Sequence, residues 1–424
     1  MDIHEFQLVE ALMRRNDDMR VIAVGDDDQN IFQFRGSDSK FFKSFVVEYG
    51  AKQYSLIDNY RSCQSIVSFS NQFAKSISER IKRNDIIAVT SKMGEVKMIK
   101  HSGTDMEQAL VDDFLSAKVD GSTCLLTSTN NEALVILGIL KHLSIPAKLI
   151  QSNDGFDIYD IMEIRSFLKK LSDENTSPVI STESWNNAVK ALQEQYRDSS
   201  CLPLVMNILN TFDETYNKKY RTDLEVFLHE ARIADFYSNE KNVVTISTMH
   251  KSKGMEFDNV YILMSYSIMQ TDEEKRVLYV GMTRAKNRLH IHYCGDVLDG
   301  FSDYASIYEI DKSTYPKPAE LIFQLSHRDV YLDFFKGKKL TIQRLRSGMH
   351  LSVKGERLFM QADGKCMPVL QFSQKAIGEM NKLKKAGYVP YDSQISFICA
   401  WRGKDDTDET DVILADIFFR LQET

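Results

Sequence analysis

The sequence predicts an α/β protein that contains a parallel sheet, a helical insertion and a small C-terminal module. Three observations support this fold class. Short apolar runs alternate with helical patterns before residue 172 and again after residue 242, an alternation typical of parallel sheets. Between these two parts, helical patterns dominate and strand-like runs are absent. After Gly300 the apolar runs become shorter, and residues 315–318, Tyr-Pro-Lys-Pro, are typical of a linker.

The first fifty residues are predicted to form a helix, a strand and a second helix. Apolar side chains recur at helical spacing over residues 4–14. Residues 21–24, Val-Ile-Ala-Val, are predicted to form a short buried strand. Ser37 or Asp38 is a suitable cap for a second helix, which Gly50 ends.

The α/β part continues with apolar runs and helical patterns in alternation. Strands are predicted at residues 53–57, 96–99, 123–126, 243–246, 260–263 and 288–293. Helices are predicted at residues 62–81, 132–143, 160–171 and 273–286, and Ser62 caps the first of them. Together these elements predict a parallel β-sheet in an α/β domain.

The C-terminal residues are predicted to form a small α+β or β-barrel module. Strands are predicted at residues 340–345, 358–360, 369–372, 395–401 and 412–420, and a helix capped by Ser373 at 374–386. From Arg328 to Lys385 the chain carries 13 Lys and Arg against 5 Asp and Glu, with aromatic residues interleaved. This excess fits a nucleic-acid surface and a solvated face over an ordinary core equally well.

Composition excludes several classes of protein. The chain has 424 residues, 43% hydrophobic and 27% charged, as in ordinary globular proteins. No apolar run reaches the roughly 18 residues of a membrane span, and the N-terminus lacks the apolar segment of a signal peptide. Six cysteines without a Cys-x-x-Cys pair predict a reduced, cytoplasmic protein without a disulfide frame or zinc site. The net charge of −7 excludes a bulk polycation, but not a local basic groove.

The segment VIAVGDDDQNIFQFRGS, residues 21–37, places polar and aromatic side chains after the first predicted strand. In open α/β sheets, ligands bind at the carboxyl ends of strands. Gln29 at such an end can orient a water molecule or contact a terminal phosphate. Phe32, Phe34 and Arg35 can stack on bases and hold a nucleic-acid backbone. The alternative is a polar turn followed by core aromatics.

Two further segments carry an arginine near the end of a predicted helix or strand. In LIDNYRSCQSI, residues 56–66, Tyr60 can stack on a base and Arg61 can neutralise a phosphate. In EEKRVLYVGMTRAKNRLHIHY, residues 273–293, Arg284 can act as an arginine finger toward charge on a transferring phosphoryl group. Taken alone, a Tyr-Arg pair at the end of a loop, such as Tyr60-Arg61, is usually structural.

A loop rich in cations follows the strand predicted at 243–246. In VVTISTMHKSKGMEFDNVYIL it carries Thr248, His250 and two lysines, a set that suits anionic phosphates. Gly254 predicts a positive φ or a close approach of the backbone. No second histidine or cysteine lies at ligand spacing, so a zinc site is not expected.

Four of these motifs occur together and in a fixed order. GDDDQ-x-I-F-x-F-R-G, NYRS, T-x-H-x-x-K-G-x-E-F and LYVGMTRAK resemble the later motifs of UvrD/Rep/PcrA-type superfamily 1 DNA helicases over residues 1–295. The resemblance implies RecA-like domains of the P-loop NTPase type. Residues 1–50 would be a remnant of the first such domain. Residues 51–300 would be the second, with a helical insertion at about 172–240, and residues 317–424 would be an accessory module.

The resemblance also implies roles for the candidate side chains. On the nucleotide side it implies a γ-phosphate sensor (Gln29), a base-stacking ring (Tyr60), two arginine fingers (Arg61 and Arg284), and a loop at the ribose side (Gly254 and Glu256). On the side of single-stranded DNA it implies contacts from Phe32, Phe34, Arg35, Thr248 and His250.

Two motifs of this family are absent from the sequence. There is no G-x-x-x-x-G-K-[S/T] segment, and no Asp-Glu pair before a Gln-Asp. Because Asp2-Ile3 resembles the tail of the second motif, we expect the chain to start inside the first RecA-like domain. The missing half would then come in cis or in trans. ATP and Mg²⁺ are expected to bind only with that half, and this chain alone is not expected to hydrolyse ATP.

The predicted function is the C-terminal part of an ATP-dependent DNA helicase or single-stranded DNA translocase. Its partners would be single-stranded or partly duplex DNA and the missing N-terminal half, with no membrane involved. The alternative is a non-catalytic DNA-binding or protein-interaction module derived from a helicase.

Overall fold

A computed structural model describes residues 1–16, 18–31, 36–78, 80–82, 84–150, 156–174, 177–236, 243–266, 268–362, 364–403 and 408–422. The chain divides into two compact units. The parallel-sheet unit comprises Met1–Ile136, Ser144–Leu149 and Asn239–Lys317. The antiparallel unit comprises Leu137–Leu143, Ile150–Ser238 and Pro318–Thr424.

The helices and strands of the described residues follow in chain order. The α-helices are α1 (Ile3–Arg15), α2 (Lys40–Val47), α3 (Gln64–Ala74), α4 (Glu107–Ala117), α5 (Asn130–His142), α6 (Met162–Glu174), α7 (Thr182–Gln195), α8 (Leu202–Thr215), α9 (Arg221–Glu230), α10 (Asp272–Met282), α11 (Lys339–Ile342) and α12 (Gln374–Lys385). The strands are β1 (Asp58–Asn59), β2 (Ile87–Ala88), β3 (Glu95–His101), β4 (Thr123–Thr127), β5 (Ala147–Leu149), β6 (Val179–Ile180), β7 (Lys219–Tyr220), β8 (Val244–Thr248), β9 (Phe257–Met264), β10 (Ala285–Cys294), β11 (Ile307–Asp311), β12 (Glu320–Gln324), β13 (His350–Lys354), β14 (Arg357–Ala362), β15 (Lys365–Gln371), β16 (Tyr388–Trp401) and β17 (Thr410–Leu421).

The parallel-sheet unit is built on a seven-stranded sheet in the order β11-β3-β10-β9-β4-β8-β5. Every neighbouring pair is parallel, which confirms the predicted sheet type. One hydrophobic cluster joins Phe69 and Phe73 of α3, Leu278 of α10, Ile262 of β9 and Ile291 of β10. The inner strands β4, β8, β9 and β10 are mostly buried, as is typical of parallel sheets, whereas the edge strand β11 is mostly exposed.

The antiparallel unit contains a six-stranded sheet in the order β12-β17-β16-β13-β14-β15. Its long hairpin, β16–β17, shares a hydrophobic cluster with α6, most of which precedes the predicted helical insertion, and with α7 and α8 of that insertion. Phe167 of α6, Trp185 of α7 and Phe212 of α8 are buried in this cluster. The ring centroid of Trp185 lies 5.0 Å from that of Phe167 and 5.8 Å from that of Phe212. The helices of the insertion therefore pack with the C-terminal residues in one compact unit.

Two apolar runs predicted as strands are not strands. Residues 21–24 and 53–57 have no strand structure, and Ile22 and Leu56 are 90% and 83% exposed. A strand forms only where a neighbouring strand hydrogen-bonds to its backbone N–H and C=O groups and where its side chains pack against a core. The short strand β1, just after the second run, does pair with β2.

The remaining differences concern helix boundaries and one further strand. The helix predicted through residue 81 is α3, which begins after Cys63 and ends at Ala74. The strand predicted at 340–345 is wrong, because α11 lies there. Ile342 and Leu345 are both buried and lie three residues apart, which is helical spacing. No helix of the described ranges is long and apolar enough to cross a membrane.

Candidate functional site

Polar and charged side chains meet at the amino ends of β9 and β10 in the parallel-sheet unit. Glu256 directly precedes β9, and Arg284 lies between α10 and β10. The Phe257 N–H donates to the Arg284 carbonyl at 2.9 Å, which holds the two segments together. A short 3₁₀ helix at Asp27–Gln29 contributes the third segment.

Arg284 is buried, with 2% of its surface exposed. Its Nε donates to the Val280 carbonyl at 2.9 Å, and its Nη1 donates to the Met255 carbonyl at 3.0 Å. Its Nη2 donates to Gln29 Oε1 and Thr283 Oγ1, each at 3.1 Å. Burial and the nearby charge of Arg61 lower the Arg284 pKa to about 10, so the guanidinium remains charged at neutral pH.

Gln29 is fixed at both ends of its amide. Besides accepting from Arg284, it donates from Nε2 to Asp26 Oδ2 at 2.8 Å. Its main-chain carbonyl accepts from Lys253 Nζ at 3.0 Å. The amide therefore has one orientation, with the oxygen toward the arginine.

The 3₁₀ helix that carries Gln29 is anchored by a buried ion pair. Asp28 has no exposed surface and accepts from Arg80 Nε and Nη2 at 2.8 and 2.7 Å. The hydrogen bonds that Arg80 donates to Asp28 raise the pKa of Arg80. Lys82 Nζ lies 3.1 Å from an Asp26 carboxylate oxygen and forms a second ion pair with this segment.

Arg61 belongs to a second ion-paired group beside Arg284. Its Nε donates to Glu256 Oε2 at 2.8 Å, and Lys286 Nζ lies 2.5 Å from Glu256 Oε1. Lys286 and then Arg61 lower the pKa of Glu256, since both donate hydrogen bonds to it. Arg61 Nη1 also donates to the Thr283 carbonyl at 3.4 Å, so both guanidinium groups contact Thr283.

The loop before α3 presents Arg61 through a local turn. Asn59 Oδ1 accepts from the main-chain N–H groups of Arg61 and Ser62, at 2.9 and 2.8 Å. A cavity of about 110 Å³ lies here, and its polar lining includes Asp26, Gln29, Asn59, Arg61 and Thr283. Tyr60 does not line this cavity, and its side chain is 78% exposed.

The candidate DNA contacts lie elsewhere or outside the described residues. Thr248 ends β8, so it lies at the carboxyl edge of the sheet, opposite the edge that holds Glu256. It is buried, while His250 is half-buried and its pKa is lowered by burial. Gly254 has φ +91°, as predicted. Phe32, Phe34 and Arg35 lie outside the described residues.

Sequence reasoning gave no role to several residues of this cluster. Asp26 orients Gln29, Lys286 holds Glu256, and Asp28 anchors the 3₁₀ helix through Arg80. Asp26, Asp28 and Lys286 could have been found from the sequence, because they lie in the motifs GDDDQ and LYVGMTRAK beside predicted site residues. Arg80 had no such signal. Within the described ranges, no group of three or more His, Cys, Asp or Glu side chains is placed to hold a metal ion.

Comparison with known proteins gives two family matches. The model "UvrD-like helicase C-terminal domain" matches residues 54–192 and 179–296. The model "UvrD/REP helicase N-terminal domain" matches residues 2–50.

Several curated proteins are similar to this chain. DNA helicase II of Haemophilus influenzae is 22% identical over 376 residues, covering 65% of this chain and 51% of the relative. The putative ATP-dependent DNA helicase YjcD of Bacillus subtilis is 24% identical, covering 68% and 50%. The Gabija protein GajB of Bacillus cereus is 24% identical, covering 68% and 60%. The chain thus spans about half the length of the first two relatives.

A solved structure is also similar, that of the C-terminal domain of a possible DNA helicase from Lactobacillus plantarum. It is 13% identical, covers 60% of this chain and 99% of that chain, and aligns with a TM-score of 0.28.

Proposed function

This chain belongs to the UvrD-like helicase family, and we propose that it supplies one side of an ATP cleft in a DNA helicase or single-stranded DNA translocase. In this proposal residues 51–300 form a RecA-like domain with a helical insertion at about 172–240. Residues 1–50 belong to the neighbouring RecA-like domain, and residues 317–424 form an accessory module. A P-loop half, in cis or in trans, completes the cleft.

The observation that carries this proposal is the meeting of Gln29, Arg61 and Arg284. The three residues come from distant segments, and both arginines contact Thr283. Phosphoryl transfer depends on positioned positive charge and on an oriented nucleophile rather than on covalent chemistry by the protein. Two guanidinium groups and one oriented amide are groups of that kind.

Each residue then has a role that its contacts support. Arg284 keeps the oxygen of the Gln29 amide engaged, so that Nε2 is the end free to leave Asp26 for a terminal phosphate or a water molecule. Arg61 is half-exposed and can leave Glu256 for a phosphate. Tyr60 has an exposed ring on which an adenine can stack.

Among the described residues, no group of three or more His, Cys, Asp or Glu side chains is placed to hold Mg²⁺. A metal ion bound with ATP would neutralise phosphate charge, and the P-loop half would hold it. None of the roles of Gln29, Arg61 or Arg284 depends on a metal ligand from this chain.

The alternative function is a non-catalytic DNA-binding or protein-interaction module. The burial of Arg284 favours it, because a buried guanidinium reaches a phosphate only after Gln29 has moved. The two functions differ in whether the completed protein hydrolyses ATP.

The test is ATP hydrolysis by the chain combined with a P-loop domain from the same organism, fused or mixed, with saturating single-stranded DNA. We expect hydrolysis by the combination and none by the chain alone. Arg61→Ala should lower kcat by about 10³-fold or more. Arg165→Ala is the matched control: Arg165 has a similar exposure and pairs with Glu409, so its replacement should leave kcat unchanged.

Two outcomes would contradict the proposal. A combination that binds ATP without hydrolysing it would favour the non-catalytic module. Normal hydrolysis by the Arg61→Ala variant would remove Arg61 from the cleft.

A further inference from the structure

The antiparallel unit carries a cationic face outside the residues that the family models match, which end at residue 296. This face consists of β13, β14 and β15 together with the 3₁₀ helix at Leu332–Phe335. Along β14, Arg357 and Phe359 alternate with the buried Leu358 and Met360. Alternation along a strand puts Arg357 and Phe359 on the same, outer side of the sheet.

Two like charges lie directly opposite each other on this face. Lys354 of β13 pairs in register with Arg357 of β14, across the two-residue turn that joins the strands. Like charges in directly opposed positions of an antiparallel pair destabilise a sheet. Among the described residues, no ion pair joins either cation to an acid. Lys354 Nζ lies 3.4 Å from Cys366 Sγ, and Arg357 Nε lies 3.2 Å from Gln371 Oε1.

A third cation and two aromatic rings complete the face. Lys338 Nζ lies 3.7 Å from the ring centroid of Phe334, and Arg357 Cζ lies 5.7 Å from the same centroid. Lys354 Nζ lies 5.8 Å from the ring centroid of Phe359. Burial and then the charge of Arg357 lower the pKa of Lys338, which places these two cations near each other.

We propose that this face binds the sugar-phosphate backbone of single-stranded nucleic acid, with Lys338, Lys354 and Arg357 neutralising phosphates. Neighbouring cations that no acid pairs with repel one another in the free protein, and phosphates that enter between them relieve that repulsion. The site shares no residue with the proposed ATP cleft, and it does not depend on ATP hydrolysis.

The aromatic rings favour a single strand over the other polyanions. Phe359 is half-buried on the outer side of the sheet, and a sheet face with interleaved cations and aromatics can serve as a stacking platform for unpaired bases. Bases of a duplex are stacked on one another and offer no face to such a ring. An acidic peptide has charges but no bases to stack.

The test is fluorescence anisotropy of a labelled oligo(dT) with the whole chain, over a series of salt concentrations. The variant Lys338→Gln/Lys354→Gln/Arg357→Gln should bind oligo(dT) at least about tenfold more weakly than the unaltered chain does. The slope of log K against log salt should become shallower by about 2, since each phosphate contact to a single strand contributes about 0.7. Circular dichroism checks that the variant is folded.

The matched control removes the same charge from another part of the same unit. Lys382→Gln/Lys384→Gln/Lys385→Gln alters exposed lysines at the end of α12, and its affinity should stay within about twofold of the unaltered chain. Equal losses in the two triple variants would mean that binding follows net charge, and would overturn the proposed site. Unchanged binding by the first variant would overturn it as well.

A second measurement reports on this face alone, even if oligo(dT) also binds elsewhere. Cys366 is exposed, whereas Cys63, Cys124, Cys201, Cys294 and Cys399 are buried. Oligo(dT) should slow the alkylation of Cys366 in the unaltered chain and not in the Lys338/Lys354/Arg357 variant. No protection in the unaltered chain would overturn the proposal. Protection by poly-glutamate but not by oligo(dT) would assign the face to an acidic protein partner instead.

Discussion

Arg284 donates from Nη2 to Gln29 Oε1 at 3.1 Å, although 255 positions separate the two residues in the sequence. The other nitrogens of this guanidinium donate to the Val280 and Met255 carbonyls, so the group cannot rotate without losing hydrogen bonds. The fixed guanidinium sets the orientation of the Gln29 amide. The glutamine of GDDDQ and the arginine of LYVGMTRAK therefore act as one polar unit in this fold.

The first prediction compares the stability lost when Arg284 is replaced with the stability lost when Arg61 is replaced. Arg284→Lys should lower the free energy of unfolding by about 1–3 kcal/mol, because one ammonium group cannot replace a guanidinium that donates hydrogen bonds to four residues. Arg61→Lys should cost less than about 1 kcal/mol, because Arg61 is half-exposed. Urea unfolding of the two variants measures both values. Equal costs would mean that the contacts of Arg284 are not maintained in solution.

The second prediction concerns the ion pair of Asp28 and Arg80. Asp28→Asn should destabilise the chain by about 3–5 kcal/mol, because it leaves a largely buried guanidinium without its charge partner. Asp38→Asn, which breaks the exposed pair with Lys40, should cost at most about 1 kcal/mol. Thermal unfolding compares the two. The double variant Asp28→Asn/Arg80→Gln should recover part of the loss, and no recovery would argue against a direct pair.

The third prediction uses the backbone of Gly254. Its φ of +91° is a conformation that other residues rarely adopt, and a Cβ there would meet no atom within 4 Å. Gly254→Ala should therefore cost about 1–3 kcal/mol from backbone strain alone. At Gly103 a Cβ also meets nothing, and φ is not in the left-handed region, so Gly103→Ala should be neutral or stabilising. Chemical denaturation of both variants tests the difference, and a neutral Gly254→Ala would exclude the positive φ.

The fourth prediction concerns pH and a buried histidine in the parallel-sheet unit. His101 Nε2 lies 3.0 Å from His292 Nδ1, and Asp311 lies 3.2 Å from its other ring nitrogen. Burial, and then the nearby His292, lower the pKa of His101 to about 4, against the attraction of Asp311 and Asp113. The ring is therefore neutral in the folded chain over a range in which the unfolded chain, with a pKa near 6.5, binds a proton.

The sign of the pH effect follows from this difference. The folded chain should lose stability as the pH falls from about 6.5 to about 4, because protons bind more readily to the unfolded state. Between pH 7 and pH 5 the loss from this one group is about 2 kcal/mol. His101→Gln should reduce the loss when unfolding is measured at both pH values. An identical pH dependence in that variant would remove His101 as its source.

Sequence patterns predicted the parallel sheet well where the strands are central. The runs at 96–99, 123–126, 260–263 and 288–293 all lie within observed strands, and each of these strands is buried between neighbours. The runs at 21–24 and 53–57 are equally apolar, yet they are not strands. An apolar run indicates that its side chains favour burial. Whether the run forms a strand depends on whether another strand lies beside it to pair with its backbone.

The site shows a similar division. The four ordered motifs contain Gln29, Arg61, Glu256 and Arg284, which the structure brings together. No pattern in the sequence indicated Arg80, which anchors the glutamine through Asp28 from outside the motifs. Its role depends on a contact between residues 52 positions apart, which spacing along the chain does not reveal.

The sequence by itself determined the α/β class, the order of the motifs and the identity of the polar residues, because these depend on local periodicity and residue chemistry. Only the tertiary structure decided that Arg284 is buried against Gln29, that Thr248 lies at the opposite edge of the sheet from Glu256, and that Lys354 faces Arg357. Those relationships are set by strand order and register, which bring distant residues into contact through burial and hydrogen bonding.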